Sequence, residues 1–422
     1  MTVTTDAIFA GTGNLPGAVV INNNADIAPG NGGAGKLTTG SLTLSDASKL
    51  IFELAGSGDT TDDEVAVIGN LTIDGVLDVT NLSGFGVGTY ALFTYTGTLT
   101  DNGLAIGVFP GGYVATIDTA TGGTVKLIVS NAPTLSWDGG GSDDNWSTAA
   151  NWVGNVAPSA GYNLVFTGST RLTPFNDFPV ETYFSSIRFD TGGFSVSGNS
   201  VALNGGGGIQ NAAGTNSVNI NVKLGLPTTI SVLSGTSLTV GGAIDNGGNT
   251  LTVDVAGTCD LNGIVSGAGD ITKTSAGTLT IGGTAANTYT GITRVNEGTL
   301  LLGKTAGVDA FAGRLIVGDG IGGPNADVVR LLASNVTNNS GGASNDHSAT
   351  VTTSGLLDLN NFSTRFYHGS AYALILEIGD TGAGNVVTGT GTLTTTGSIG
   401  LTVVGTGAVG ATISGNLYWG VT

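Results

Sequence analysis

The 422-residue sequence contains a single cysteine, Cys259, so no disulfide can form within the chain. Charged residues make up only 10% of it, against roughly 25% in ordinary globular proteins. Acids outnumber bases by 30 to 12, which gives a formal net charge of −18. Such a chain is repelled by phosphate backbones and anionic membranes, so we expect no nucleic-acid partner. No stretch approaches the roughly 20 apolar residues of a membrane span, so we expect no membrane insertion.

Helical periodicity is also missing, because apolar residues alternate instead of recurring at intervals of three and four. Disorder is excluded by the hydrophobic fraction of 40%, which is enough to build a core. Collagen is excluded as well, since the 74 glycines have no strict three-residue period. These absences leave an all-β protein.

Short segments with alternating apolar residues recur along the chain, bounded by glycine, asparagine or aspartate. In segments such as 71–73, 251–253 and 279–281, two apolar residues flank one polar residue and point to the same face of a strand. Glycine and asparagine supply the positive-φ corners between strands. These segments are short for hairpins, whereas stacked parallel coils of roughly 20 to 25 residues explain their length. The sequence predicts a parallel β-solenoid.

Three segments are distinguished by composition. Residues 1–132 form an N-terminal solenoid segment, residues 133–190 a junction or insertion rich in tryptophan and other aromatic residues, and residues 191–422 a C-terminal solenoid segment. The junction contains Trp137, Trp146 and Trp152. These rings can stack on sugars or pack in a core, and packing is favoured because aromatic burial dominates core energetics.

Residues 267–303 carry an ordered series of short motifs: Gly267-Ala268-Gly269, Thr272-Lys273, Gly277-Thr278-Leu279-Thr280-Ile281, Asn287-Thr288-Tyr289-Thr290-Gly291 and Gly298-Thr299-Leu300. This series resembles the autotransporter-associated β-strand repeat, also called the passenger-associated transport repeat. Residues 137–166 and 315–332 resemble companions of that repeat more loosely. The resemblance implies a right-handed β-helix passenger that a bacterium secretes to its surface or beyond.

Both ends of the chain are strand-like and carry no amphipathic helix or charged cap. Because two similar open edges favour a head-to-tail contact that does not close, the sequence predicts a self-assembling filament subunit whose partner is itself. The candidate assembly residues are Val3, Ile8, Phe9, Leu417, Tyr418 and Trp419. An alternative is a passenger segment of a cell-surface adhesin, with surface glycans as candidate partners.

A more distant alternative is a polysaccharide lyase or hydrolase on a β-helix, which requires clustered carboxylates or carboxylates beside basic groups. The candidate groups are Asp59, Asp62, Asp63 and Glu64; Asp143 and Asp144; and Asp358 with Arg365, Tyr367 and His368. The first two groups are typical of acidic turns, and the third is a set of sequence neighbours without further support. We predict no catalytic residue and no enzyme activity.

No cofactor or metal site is predicted either. Gly318–Gly323 with Asp327 partly matches the calcium-binding nonapeptide of β-rolls, but the pattern does not repeat, which favours a structural turn. The run Gly205–Gly208 lacks the Lys-Ser/Thr of a phosphate-binding loop. Cys259 is far in sequence from both histidines, which favours a buried core thiol.

Overall fold

The computed structural model describes residues 1–30, 32–58, 62–110, 112–337, 347–379, 387–388 and 393–404. Side chains are described for all of these except 205–206, 367–373, 375–379, 387–388 and 394–404. Contacts divide the chain into two units. The first comprises Met1–Thr134, Gly161–Asn163 and Asn204–Gly206, and the second comprises Leu135–Ala160, Leu164–Leu203 and the described part of Gly207–Thr422.

The first unit is built from short strands. They are β1 (Thr2–Val3), β2 (Ile8–Gly11), β3 (Gly13–Leu15), β4 (Val19–Ile21), β5 (Asp26–Pro29), β6 (Lys36–Thr39), β7 (Leu42–Leu44), β8 (Lys49–Leu54), β9 (Glu64–Val67), β10 (Leu71–Ile73), β11 (Val76–Asn81), β12 (Gly88–Tyr95), β13 (Leu99–Asp101), β14 (Ala105–Ile106), β15 (Tyr113–Asp118) and β16 (Thr124–Asn131).

Strands of the first unit pair in parallel with the third strand before and after them, so each coil contributes one strand to each of three sheets. The sheet orders are β1-β4-β7-β10-β13, β2-β5-β8-β11-β14 and β3-β6-β9-β12-β16-β15. Equivalent apolar residues of successive coils therefore stack inside the unit. Val19, Leu42 and Leu71 form one such column, and all three are buried.

The last two strands of this unit depart from the parallel pattern. The segment predicted as a strand at 124–129 lies in β16, but β16 pairs antiparallel with both β12 and β15. A short turn joins β15 to β16, and Thr124 N donates to Thr121 O within it. Because a parallel pair needs a much longer connection, this short turn imposes the antiparallel arrangement.

The second unit contains most or all residues of each remaining strand and one 3₁₀ turn, Ala149–Asn151. The strands are β17 (Thr134–Trp137), β18 (Asn163–Phe166), β19 (Phe175–Asn176), β20 (Thr182–Phe189), β21 (Ser195–Gly198), β22 (Val201–Asn211), β23 (Thr215–Val218), β24 (Val222–Leu224), β25 (Thr228–Val232), β26 (Ser237–Val240), β27 (Ile244–Asp245), β28 (Leu251–Val255), β29 (Thr258–Leu261), β30 (Val265–Ser266), β31 (Ile271–Thr274), β32 (Thr278–Ile281), β33 (Thr293–Val295), β34 (Gly298–Leu302), β35 (Leu315–Val317), β36 (Asp327–Leu331), β37 (Ala349–Val351), β38 (Gly355–Asp358), β39 (Thr364–Gly379), β40 (Val387–Thr388) and β41 (Leu393–Val404).

Two long sheets run through this unit. A 10-stranded sheet has the order β19-β21-β23-β26-β29-β32-β34-β36-β38-β40. A 15-stranded sheet runs from β17 through β18, β20, β22, β25 and β28 to β41, with β24, β27 and β30 as a branch from β22. Coils in the middle of this unit are short: Leu251 pairs with Ile271, 20 residues later, and Ile271 pairs with Thr293 after 22 more. A later coil is longer, because Leu315 pairs with Ala349 after 34 residues.

Glycines at one corner set the close stacking of successive coils. A Cβ atom on Gly291 would lie 2.1 Å from Gly269 O, and one on Gly313 would lie 2.1 Å from Gly291 O. Only glycine allows the backbones to approach this closely.

The predicted all-β parallel solenoid is confirmed by these pairings, while its right-handed sense stays a prediction. No helix among the described residues is long and apolar enough to cross a membrane.

Candidate functional site

The three tryptophans of the 133–190 segment form an aromatic core at the start of the second unit. Trp137, Trp146 and Trp152 are at most 1% exposed. Trp137 and Trp152 meet edge to face with ring centroids 5.3 Å apart, and all three rings pack on Phe166. Asn151 fixes the loop around them, because its side chain accepts from Gly141 N and donates to two backbone carbonyls. Core packing is confirmed, and sugar stacking by these rings is excluded.

The first acidic group is held by backbone amides. Asp63 is fully buried, and its two carboxylate oxygens accept from Gly35 N at 2.6 Å and Glu53 N at 2.7 Å. Burial raises the pKa of Asp63 to about 6 despite these hydrogen bonds. Asp62 accepts from the backbone N of Ala55. The expectation of a solvated acidic turn is wrong for Asp63, because burying its carboxylate satisfies two backbone N–H groups. Glu64 lies in β9 and forms an ion pair with Lys36 at 2.7 Å. Asp59 lies outside the described residues.

The second acidic group also belongs to a turn. Asp143 accepts from Asn145 N, and its hydrogen bond to Thr148 is the largest cause that lowers its pKa. Asp144 forms an ion pair with Arg171 at 3.1 Å and accepts from Thr173 Oγ1 at 2.7 Å. Both carboxylates therefore hold a loop together.

The third group is described only in part. Arg365 lies in β39, and its backbone O accepts from Thr337 Oγ1 at 2.6 Å. Asp358 forms an ion pair with Arg330 at 2.7 Å and caps Asn360 N. The side chains of Tyr367 and His368 lie outside the described residues. The other histidine, His347, is buried, and its Nδ1 lies 3.0 Å from Thr337 O.

The glycine-rich segment near Asp319 forms a turn, as predicted. Asp319 accepts from Ile321 N at 2.8 Å, and Gly320 N donates to Ser354 Oγ at 2.9 Å. Burial raises the pKa of Asp327. Across the described ranges, no group of three or more His, Cys, Asp or Glu side chains is placed to hold a metal ion.

Cys259 occupies a position in an inward column of the 10-stranded sheet. It pairs with Leu238 in one neighbouring coil and Leu279 in the other, and it is fully buried. Burial raises the pKa of its thiol to about 12. A thiol that stays protonated is a poor nucleophile, so the predicted core role is confirmed.

Lys273 is a buried cation in the equivalent column of the other sheet. It pairs with Val253 and Val295, is 1% exposed, and donates from Nζ to Ser275 O at 2.7 Å and Glu297 O at 2.8 Å. Burial lowers its pKa to about 8. The lysine therefore ties a corner of one coil to a corner of the next.

The candidate assembly residues are only partly visible. Val3 is buried, Ile8 is 60% exposed, and Phe9 is half-buried. Their strands, β1 and β2, lie at the outer edges of their sheets within the described residues. Leu417, Tyr418 and Trp419 lie outside the described residues.

A regular polar surface covers five neighbouring strands on the outward side of the 10-stranded sheet, and it was not identified from the sequence alone. Five strands, β23, β26, β29, β32 and β34, pair in register without a bulge. They place two columns of mostly hydroxyl side chains side by side. We call this surface the hydroxyl face; its residues are Thr215, Ser217, Ser237, Thr239, Thr258, Thr278, Thr280 and Thr299.

The hydroxyl face is open to solvent. Thr215 and Thr258 are exposed and the other six residues are half-buried. Within the described part of the chain, none of these eight hydroxyls makes a hydrogen bond to another protein group. The detectable signal in the sequence was a hydroxyl pair at positions i and i+2, as in 215–217 and 278–280, recurring with the coil length.

Comparison with known proteins identifies a sequence repeat within the second unit. The Passenger-associated-transport-repeat family matches residues 271–302, inside the predicted segment 267–303. Over 306 residues, 67% of this chain, the sequence is 32% identical to the Adhesin BmaC autotransporter of Brucella suis biovar 1 (strain 1330). The chain spans 8% of the length of that relative. No solved structure matches this chain. The chain is a passenger-associated-transport-repeat protein.

Proposed function

We propose that this chain is a passenger segment of a bacterial cell-surface adhesin. The observation that carries the proposal is the 32% identity to an autotransporter named as an adhesin, which extends over 67% of the chain. The repeat match at 271–302 supports the same class of secreted or surface-exposed passenger. This ranks the adhesin above the filament subunit, which stays a prediction.

The placement of the reactive groups supports binding in preference to turnover. Asp63 is occupied by two backbone amides, Cys259 is a protonated core thiol, and Lys273 is occupied by corner carbonyls. The polar groups left for a ligand lie on outward faces of the sheets. Recognition by such a solenoid depends on a repeated surface.

The proposal is tested by coating inert beads with the full chain and measuring their attachment to a panel of animal-cell and plant-cell surfaces. Beads coated with an unrelated acidic protein are the control. We expect several-fold more attachment to at least one surface, with competition by free soluble chain. Attachment equal to the control on every surface, or attachment that soluble chain does not reduce, would refute the proposal.

A further inference from the structure

We propose that the hydroxyl face binds a linear, uncharged polysaccharide. The inference deepens the proposed adhesive function and rests on it for its biological role. It starts from the spacing of the side chains. Parallel strands lie about 4.8 Å apart and alternate residues about 6.7 Å apart, so five coils give two hydroxyl columns roughly 19 Å long. A ligand with polar groups repeated along one direction matches such columns.

The hydroxyls of this face are free to bind. On the outward side of the 15-stranded sheet, Thr252 and Thr272 also make no hydrogen bond within the described part of the chain, but charged side chains interrupt the columns there. Asp254 pairs with Ser231, and Arg294 pairs with Thr272. There, Thr274 donates to Asp254 at 3.2 Å, and Arg314 donates to Thr350. A hydroxyl can both donate and accept. Sugar hydroxyls have the same property, so a threonine or serine hydroxyl and a sugar hydroxyl can form a hydrogen bond without burying an unpaired charge.

Charge distinguishes a neutral glycan from an acidic polymer. Asp260, between Thr239 and Thr280, is the only charged residue among the ten paired positions of the two columns. The whole chain carries a formal charge of −18. A polyanion would be repelled by that charge and would find no cation among the ten positions. Arg330, the next residue of the second column after Leu301, is already paired with Asp358 at 2.7 Å.

An exposed aromatic ring lies on the outward side of the first strand of the same sheet. It is a second feature that favours a sugar as the ligand. Phe175 in β19 is 43% exposed and pairs in register with the outward Ser197 of β21. An exposed ring offers an apolar face for the C–H groups of a pyranose, while the threonine methyls supply smaller apolar contacts.

A peptide strand is a poorer occupant. Strands β26, β29 and β32 each pair with a neighbour on both sides, so their backbone groups are already used. Addition of an extended peptide requires an unpaired sheet edge. The hydroxyl face has side chains alone to offer.

Affinity electrophoresis of the full chain in native gels tests the inference. Gels contain mannan, laminarin or hydroxyethyl cellulose as neutral probes, or polygalacturonate as the acidic probe. We expect retardation by at least one neutral probe and none by polygalacturonate. The double variant Thr239→Val/Thr280→Val keeps the side-chain shape but removes two hydroxyls, and it should bind at least tenfold more weakly.

The matched control is Thr252→Val/Thr272→Val, which makes the same change on the outward side of the 15-stranded sheet. It should keep wild-type affinity. Equal loss in both double variants would overturn the inference. So would the absence of retardation by all neutral probes, retardation by polygalacturonate alone, or self-association that the hydroxyl-face variant abolishes. If the coated beads adhere to cells but the chain binds no polysaccharide, the hydroxyl-face inference fails and the adhesin proposal stands. If the chain binds a polysaccharide but the beads do not adhere, the adhesin proposal alone fails.

Discussion

Lys273 occupies an inward position that Val253 and Val295 fill in the neighbouring coils. Its alkyl chain continues the apolar column, and its amine reaches two carbonyls at the corner. The lysine belongs to the matched repeat, so its presence there has a structural explanation. The pKa of about 8 shows that burial opposes the charged form more strongly than the nearby carboxylates favour it.

This pKa predicts a rise in stability at alkaline pH. The unfolded chain holds the lysine proton up to a pKa of about 10.4, whereas the folded protein releases it near pH 8. Between these values the unfolded state binds more protons, so wild-type stability should increase relative to Lys273→Met, by roughly 3 kcal/mol in total. Urea unfolding at a series of pH values measures the difference.

The control for this experiment is Lys223→Met. Lys223 is exposed, and its hydrogen bond to Glu181 raises its pKa. The stability of wild type relative to Lys223→Met should not increase as the pH rises above 8. An equal response of both variants would contradict the assignment to Lys273.

Asp63 predicts the opposite dependence at acidic pH. Its folded-state pKa of about 6 lies above the ordinary value of 3.8, so the folded state binds the extra proton between these values. The stability contributed by this proton is complete below about pH 4 and is lost as pH rises through 6, by roughly 3 kcal/mol. Thermal or urea unfolding from pH 4 to 7 should show this decline in the wild type.

Asp63→Asn should flatten that decline because it removes the titrating group. It should also lower stability at every pH, since the amide NH₂ would face one of the two backbone N–H donors. Asp46→Asn, at an exposed position, serves as the control and should keep the wild-type slope. An unchanged slope in Asp63→Asn would assign the pH dependence to another group.

At the scale of single elements, sequence reasoning located many strands because local alternation determines them. The segments 71–73 and 315–317 match β10 and β35. The sequence did not predict which strands pair, because the register depends on contacts between residues 20 or more positions apart. The hydroxyl face was missed for the same reason: its residues become neighbours only once the coils are aligned.

The antiparallel pair β15 and β16 was also missed. Its residues alternate like those of the parallel strands, so composition does not distinguish the two directions. The short turn at 119–123 makes β15 and β16 antiparallel, so the length of the turn was the signal in the sequence that predicts the strand direction.

The aromatic core around Phe166 predicts a large loss of stability on truncation. Its ring contacts Trp137, Trp146 and Trp152 as well as Phe189 and Phe194. Phe166→Ala should therefore cost about 3–5 kcal/mol. Urea unfolding followed by tryptophan fluorescence measures the change. Phe175→Ala, at an exposed ring, should cost far less, and equal costs would show that the cluster has no special weight.

At the scale of the whole molecule, head-to-tail assembly remains a prediction with a clear test. If the edge strands β1 and β2 make the contact, the full chain should show a concentration-dependent increase in sedimentation coefficient. Ile8→Lys should reduce it by placing a charge on that edge. Ile68→Lys is a matched control, because Ile8 and Ile68 are 60% and 58% exposed. A single sedimenting species at all concentrations would rule out the filament.

The coil-by-coil pairing of the second unit also determines its response to force. Among the described residues, strand pairing joins each coil to the coils directly before and after it, and few side-chain hydrogen bonds reach further. Tension applied along the polypeptide should therefore detach terminal coils one at a time. A coil of 20 residues releases roughly 70 Å of extended chain when it detaches. A bacterium tethered through such a segment would therefore meet a sudden pull with stepwise lengthening, and the attachment itself would bear a lower peak load.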